Sequence, residues 1–378
     1  MSRNETVELR IEKVVYGGDG LARLEAEGGR RQVVFVPMTL PGELVRAELE
    51  PGNGGQLRAR LLEVIEPAAG RVAPGCEYYG RCGGCQLQHA SVGLQLEMKR
   101  DVLIETLQRT GGVQWTGAVP LHAGEPWGYR NRIRMQRAGR GWGYLERGSH
   151  RVLPVTHCPI ASPQLNRELE AATAAPRVGE ELELAVNNRE EGRDGAESLF
   201  FEMGGFRYRV GPESFFQVNR FLTPKLVEVV TGGESGETAV DLYSGVGLFA
   251  LPLGRRFARL TAVESHAPAV ADLRHNLETA GLEAVRVRAA DAAAYWRDGG
   301  REVDLLVADP PRAGLGPDLV KALSARPPKK LHLVSCDPAT LGRDLRGLLA
   351  AGYQIAELHL FDLFPQTYHL ETVVRLRR

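Results

Sequence analysis

"TAVDLYSGVGLFALPLG", residues 238–254, runs from an apolar strand-like stretch through a glycine turn into a helix-like one. Gly245 and Gly247 let the backbone turn sharply and lie close to a ligand, where a side chain would obstruct it. Three strand-like runs follow: "RLTAVES" ends in Glu264, "AVRVRAAD" ends in Asp291, and "EVDLLVADPPRAG" carries Asp309 ahead of Pro310 and Pro311. Helix-like segments separate them, and strands alternating with helices build a parallel sheet. The pattern predicts a doubly wound, Rossmann-like α/β domain that binds ligands at the carboxyl ends of its strands. Glu264 closes the second strand, where an acid binds ribose hydroxyls in such folds. No G-x-x-x-x-G-K phosphate cradle occurs. Carboxylates repel phosphates, so Glu264, Asp291 and Asp309 suit a ribose carrying a cation. S-adenosylmethionine, with its ribose and sulfonium, fits that description.

The 378 residues have room for two or three domains. The opening "MSRNETVELRIEKV" lacks the apolar core of a signal peptide, and no run approaches the length of a membrane span. A cytoplasmic chain with reduced thiols is expected, with no membrane association, no obligatory protein partner and a monomeric state. Lys plus Arg equals Asp plus Glu at 47 each, which excludes a global field that attracts nucleic acid. Local charge is another matter. "YRNRIRMQRAGRGWGYLERGSHR", residues 129–151, carries seven Arg against one Glu, interleaved with Tyr129, Trp142 and Tyr144. In a strand, Arg130, Arg132 and Arg134 would line one face. That face serves an RNA backbone and splayed bases, or is merely solvated; the stretch alone leaves both readings open.

Short alternating runs and glycine turns over residues 1–66 predict a five-stranded barrel of the oligonucleotide-binding type. Residues 67–90 and 118–213 read as a β-rich central region. Residues 92–111 read as one amphipathic helix ended by Gly111. From about residue 214 the strand–helix alternation takes over.

Cys336 follows the apolar strand "LHLVS" in "SCDPATLGRDL", at another strand-to-helix junction. It is a packing thiol or a nucleophile. Asp309-Pro310-Pro311 is followed by Arg312, not by the aromatic that stacks adenine in amino methyltransferases or by a cysteine. A pyrimidine carbon 5 becomes nucleophilic once a thiolate adds to carbon 6, and a base must then take the carbon-5 proton. Cys336, with Glu371 in "FPQTYHLETVVRL", would meet both needs. The remaining cysteines, Cys76, Cys82, Cys85 and Cys158, make one tetrahedral set for zinc or an iron–sulfur cluster, or are unrelated buried thiols.

"FFQVN", "DLYSGVGLF", "DPPRAGLG", "SCDPATLGRDL" and "FPQTYHLETVVRL" closely resemble, in order, the motifs of RNA uracil-5 methyltransferases. "GDGLARL" and "VVFVPMTLPGELV" resemble the TRAM domain that many of them carry. The resemblance implies Cys336 as nucleophile and Glu371 as base, with Gln217, Tyr243, Gly245, Gly247, Glu264, Asp291 and Asp309 around cofactor and target. It implies a 4Fe–4S cluster on Cys76, Cys82, Cys85 and Cys158, and ribosomal RNA ahead of tRNA as substrate. Three parts are then expected: a TRAM-like barrel at 1–66, a central iron–sulfur domain at 67–90 and 118–213, and an S-adenosylmethionine-dependent methyltransferase domain at 91–117 and 214–378. Arg130, Arg132 and Arg134 would face the RNA. Leu248 stands where many relatives have Asn. The rival from another class is a non-catalytic iron–sulfur RNA-binding protein.

Overall fold

The alternating residues of the first segment form six strands of one sheet: β1 (Thr6–Arg10), β2 (Lys13–Val14), β3 (Asp19–Glu25), β4 (Arg31–Pro37), β5 (Leu44–Glu50) and β6 (Leu57–Glu66), ordered β1-β5-β6-β4-β3-β2. The computed structural model describes residues 5–25, 31–50, 56–174, 179–187, 198–299 and 303–378. Leu9, Ala22, Val34, Val36, Val45 and Ala47 give this barrel-like sheet its own core. The sheet has six strands rather than five because "VELRIEKVV" changes partner midway. Ile11 N–H donates to the Glu43 carbonyl and Glu12 N–H to that of Leu21, so β1 pairs with β5 and β2 with β3.

Helix α1 (Val92–Gly111) starts where Ser91 Oγ accepts from Leu94 N–H and stops at Gly112, whose φ of 67° only glycine adopts without strain. After the short β7 (Leu121–His122) come β8 (Arg132–Ala138), β9 (Gly141–Leu145), β10 (Val152–Pro154), α2 (Pro163–Ala174) and β11 (Glu181–Ala185). The last four strands form an antiparallel sheet ordered β10-β9-β8-β11. Helix α2 covers it, burying Leu165 and Leu169 against Ile133, Met135, Trp142 and Leu184.

The hairpin β12 (Leu199–Met203) and β13 (Phe206–Val210) falls in the stretch read as central domain. Its Leu199, Phe201, Phe206, Tyr208 and Val210 pack instead into the core of the α/β layer that follows. Arg209 Nε, at 2.7 Å from Asp272, ties it there. That layer comprises α3 (Thr223–Thr231), β14 (Gly236–Leu242), α4 (Ala250–Gly254), β15 (Phe257–Glu264), α5 (Ala267–Thr279), β16 (Arg286–Ala289), α6 (Ala292–Gly299), β17 (Leu305–Ala308), α7 (Gly316–Ala325), β18 (Lys330–Ser335), α8 (Pro338–Ala350), β19 (Gln354–Phe361) and β20 (Glu371–Arg377).

Its sheet is ordered β16-β15-β14-β17-β18-β20-β19-β7, with apolar cores on both faces, and is the expected doubly wound architecture. Strands β14 to β18 run parallel, while β20 returns antiparallel between β18 and β19. Helix α1 crosses α8 where Gly111 meets Gly342. A Cβ on Gly342 would lie 2.0 Å from Thr110 Oγ1, so this crossing requires glycine. No helix among the described residues is long and apolar enough to cross a membrane.

Candidate active site

The parallel strands end together, and their last residues converge on one edge. At the turn after β14, Tyr243 holds a φ of 59°, Gly245 54° and Gly247 101°. A positive φ on a tyrosine is strained, and such strain concentrates at ligand sites. Ser244 locks the turn: its Oγ donates to the Asp241 carbonyl at 2.7 Å and accepts from Val263 N–H at 3.1 Å. Gly247 has no room for a side chain, because a Cβ there would lie 2.5 Å from Leu251 Cδ1. Glu264 Oε2 accepts from Gly245 N–H at 2.9 Å, and its other oxygen accepts from Ser265 and His266 N–H. The acid is thereby fixed beside the glycine turn. Asp291 Oδ1 accepts from Ala294 N–H at the start of α6. The Leu248 side chain is buried in the core and offers no polar group from that position.

The register of β20 brings the chemistry together. Ser335 pairs with Thr372, so Cys336 and Glu371 are the next residues out at neighbouring chain positions, near enough for the Glu371 charge to act on the thiol. Asp309 follows β17, whose Ala308 pairs with both Leu242 and Leu333. Burial, with the charges of Glu371 and Asp309, pushes the Cys336 thiol up to about 11; Arg312 opposes them. Burial also raises Asp309, and burial together with Asp309 holds Glu371 well above the usual carboxylate range. Asp337, capping α8 through Ala339 and Thr340 N–H at 2.9 Å, fixes the turn that carries the thiol.

Gln217 is buried, in a segment stitched on both sides. Asn131 Nδ2 donates to the Gln217 carbonyl at 3.1 Å, and Asn219 Nδ2 to that of Leu363 at 2.9 Å. The three arginines part company. Arg132 and Arg134 lie in β8 and share Glu183 at 2.6 and 3.1 Å, while Arg132 also donates to the carbonyls of Ser214 and Pro212. Arg130 precedes the strand. It lies over the Phe364 ring at 5.6 Å, and its Nε is closed from solvent without a hydrogen-bond partner.

Arg130 also lines a cavity of about 310 Å³ whose wall includes Cys76, Cys82, Cys85, Cys158, Tyr368 and His369. All four cysteines are unpaired thiols. Burial pushes Cys85 up to about 12 and raises Cys82 and Cys158; Arg130 is the first group opposing the shift at Cys158. Gly84 N–H points at Cys82 Sγ, 3.4 Å away. Among the described residues, no three His, Cys, Asp or Glu side chains converge as a single metal ion requires.

Several site-forming groups carried no local signal in sequence. Lys99 of α1 donates to Asp362 at 2.6 Å and to the Phe364 carbonyl at 3.1 Å, the ion pair being wholly buried. Gln95 and Gln366 exchange two hydrogen bonds, and Tyr129 donates to the Pro365 carbonyl at 3.1 Å. These contacts hold the loop that leads into Glu371. Asp241, in β14 just ahead of the glycine turn, is buried, and burial raises it well above its usual range, with Ser244 and the Ala250 backbone opposing the shift.

Comparison with known proteins identifies the family. Residues 196–378 match the tRNA (uracil-5-)-methyltransferase family and residues 2–62 the TRAM domain. An uncharacterized RNA methyltransferase of Streptomyces avermitilis is 38% identical, the match covering 98% of each chain. The 23S rRNA (uracil(1939)-C(5))-methyltransferase of Alkalilimnicola ehrlichii is 31% identical over 99% of this chain and 97% of its own. The crystal structure of Pyrococcus abyssi tRNA (uracil-54, C5)-methyltransferase with S-adenosyl-L-homocysteine superposes with a TM-score of 0.77 at 24% identity, covering 98% of this chain and 100% of that one, and shows the shared fold. By these matches the chain belongs to the family of RNA uracil-5 methyltransferases, TRAM domain included.

Proposed function

We propose that this chain methylates carbon 5 of a particular uridine in 23S ribosomal RNA, with S-adenosylmethionine as donor and a covalent bond between Cys336 and carbon 6. The observation that carries the reading is the pairing of Ser335 with Thr372, which leaves a thiol and a carboxyl group as the next residues out, the carboxyl acting on the thiol. S-adenosylmethionine supplies an electrophilic methyl group on a sulfonium. The Tyr243–Gly247 turn and Glu264 suit its ribose, and the acids Asp291 and Asp309 suit its cation. At rest Cys336 is a protonated thiol, and Arg312 is the neighbour that favours its thiolate. Addition to carbon 6 makes carbon 5 a nucleophile. Once carbon 5 is methylated, Glu371 takes its proton and the Cys336–carbon 6 bond breaks, restoring the double bond and the thiolate. A carboxylate held above its usual range is a stronger base than a solvated one, which suits that step.

The four cavity thiols fit a 4Fe–4S cluster. They line one cavity, and a cation with an unpartnered nitrogen lines it with them. An anionic thiolate-bound cluster would satisfy that cation, and Gly84 N–H would donate to Cys82 sulfur. Support for ribosomal over transfer RNA comes from relatives whose names specify 23S rRNA. The barrel adds little phosphate attraction, because Arg10, Arg23, Arg46, Arg58 and Arg60 are each paired with a carboxylate.

The test supplies S-adenosylmethionine and unmethylated ribosomal RNA or tRNA, in separate tubes, to anaerobically purified protein. Nuclease fragments are then mapped by mass. Product in the ribosomal tube is expected and identifies the nucleotide. Product only in tRNA keeps the chemistry and overturns the substrate, while zinc in place of iron and sulfide overturns the cluster.

A further inference from the structure

Tyr16 belongs to the barrel, yet it sits at the catalytic thiol. Its hydroxyl donates to the Cys336 carbonyl at 3.4 Å, and its ring meets Tyr368 edge to face with centroids 5.3 Å apart. Burial raises its hydroxyl, and the charged neighbours acting on it are Asp337, Tyr368, Cys336 and Arg312, all groups of the active site. The tip that carries it is rigidly placed. Gly18 N–H closes the turn on the Val15 carbonyl at 2.9 Å, and Gly18 has a φ of 87°. A Cβ on Gly18 would lie 2.8 Å from Gln86 Cβ and 3.4 Å from Tyr368 Cβ. The β2–β3 turn therefore packs by its backbone against the loop that leads into Glu371. Asp19, one residue on, is clamped by Arg147 at 3.0 Å.

The rings continue beyond Tyr16. Tyr368 lies 4.1 Å from His369, which lies 5.8 Å from Phe364. Burial and the cations Arg312, Arg130 and Lys99 push His369 down to about 4, so at neutral pH the file is an uncharged aromatic one flanked by cations. Tyr16, Tyr368 and His369 are only half-buried. Aromatic faces beside guanidinium groups are what unstacked RNA bases bind, and stacking is tolerant of base identity.

We propose that Tyr16 is a positioning residue for the reaction: with Tyr368 it stacks the nucleobase next to the target uridine, so that the barrel completes the active site. A uridine drawn out of its stack leaves its neighbour with an uncovered face, and Tyr16 is the barrel side chain placed to cover one within reach of Cys336. The proposal rests on Cys336 being the nucleophile. The hydroxyl bond to Cys336 is long and serves to orient the ring.

The test uses the full-length protein, S-adenosylmethionine, and pooled ribosomal and transfer RNA transcripts made with 5-fluorouridine; once methylated, carbon 5 carries fluorine in place of the proton Glu371 would remove, so the methylated Cys336 adduct accumulates. Tyr16→Ala and Tyr16→Leu should need about tenfold more RNA for half-maximal adduct formation at an unchanged limiting rate. Tyr16→Phe should match wild type, and S-adenosylhomocysteine binding should be equal in all four. Irradiating the trapped wild-type adduct at short ultraviolet wavelength should join the Tyr16 peptide to the nucleotide beside the trapped uridine. Adduct without that cross-link, or wild-type RNA dependence in Tyr16→Leu, overturns the proposal alone. If Tyr16→Phe is as impaired as Tyr16→Ala, the hydroxyl rather than the ring is the working group and stacking is overturned. Absence of any adduct on wild-type Cys336 overturns the nucleophile assignment and this proposal with it.

Discussion

Cys336 and the cavity cysteines Cys82, Cys85 and Cys158 are all pushed up by burial, yet different groups add to that push. Around Cys336 stand two carboxyl groups, Glu371 and Asp309, with Arg312 opposing them. Around the cavity stand other thiols and Arg130, and no carboxyl group lines its described wall. A thiol beside carboxylates has proton acceptors at hand, so its thiolate forms for one reaction and reverts. The cavity thiols have no carboxylate beside them. In the proposed cluster they would ionise together as the metal binds and stay ionised. On that proposal the same residue type is nucleophile in one place and ligand set in the other, and the neighbouring groups differ accordingly.

The largest effect expected is at the nucleophile. Cys336→Ala should lower methylation on the order of 10⁴-fold or more while leaving iron content and cofactor binding intact. Loss of iron in that variant would erase the distinction between the two regions. Glu371→Gln should slow turnover by roughly 10²–10⁴-fold, and RNA covalently bound to Cys336 should build up on gels. Normal turnover there would remove Glu371 from the role of base. In the cavity, Cys85→Ser should bleach the brown absorbance and lower the unfolding temperature by several degrees, with the Cys336 adduct still able to form at high RNA concentration. If adduct formation vanished along with the iron, the two regions would be one functional unit.

The smallest and sharpest effect concerns protons. In the proposed mechanism thiolate and carboxylate are the working forms of Cys336 and Glu371, and both groups are raised. Adduct formation should therefore climb with pH, by up to about tenfold per unit on the thiol limb. Asp309→Asn removes a negative charge that disfavours the Cys336 thiolate, so iodoacetamide alkylation of Cys336 should move to lower pH. An unmoved or higher profile would show that the Asp309 charge does not hold the thiol up. Cys85, remote from Asp309 in this scheme, should alkylate with an unchanged profile in the apo protein.

The glycine turn at Gly245 and Gly247, the acids closing successive strands, and the order of the motifs were all readable residue by residue, because each depends on local backbone demands and on period. Cys336 and Glu371 were readable as a pair through chemistry and resemblance. Their neighbouring position was not, since it depends on β20 entering antiparallel between β18 and β19. Other features were invisible for the same reason. The alternation of Arg130, Arg132 and Arg134 suggested a single face, whereas β8 starts only at Arg132, and Arg130 turns to the cysteine cavity. The hairpin 199–210 looked like part of the central region because its period is that of any strand pair, and only its packing joins it to the catalytic core. Sequence by itself determined which elements form and which chemistry they carry, since propensity, turn geometry and side-chain reactivity act over a few residues. Tertiary structure alone decided that Tyr16, Lys99, Arg130 and Glu371 meet around one loop. Contacts between residues hundreds of positions apart depend on how whole layers pack, and no local pattern records that.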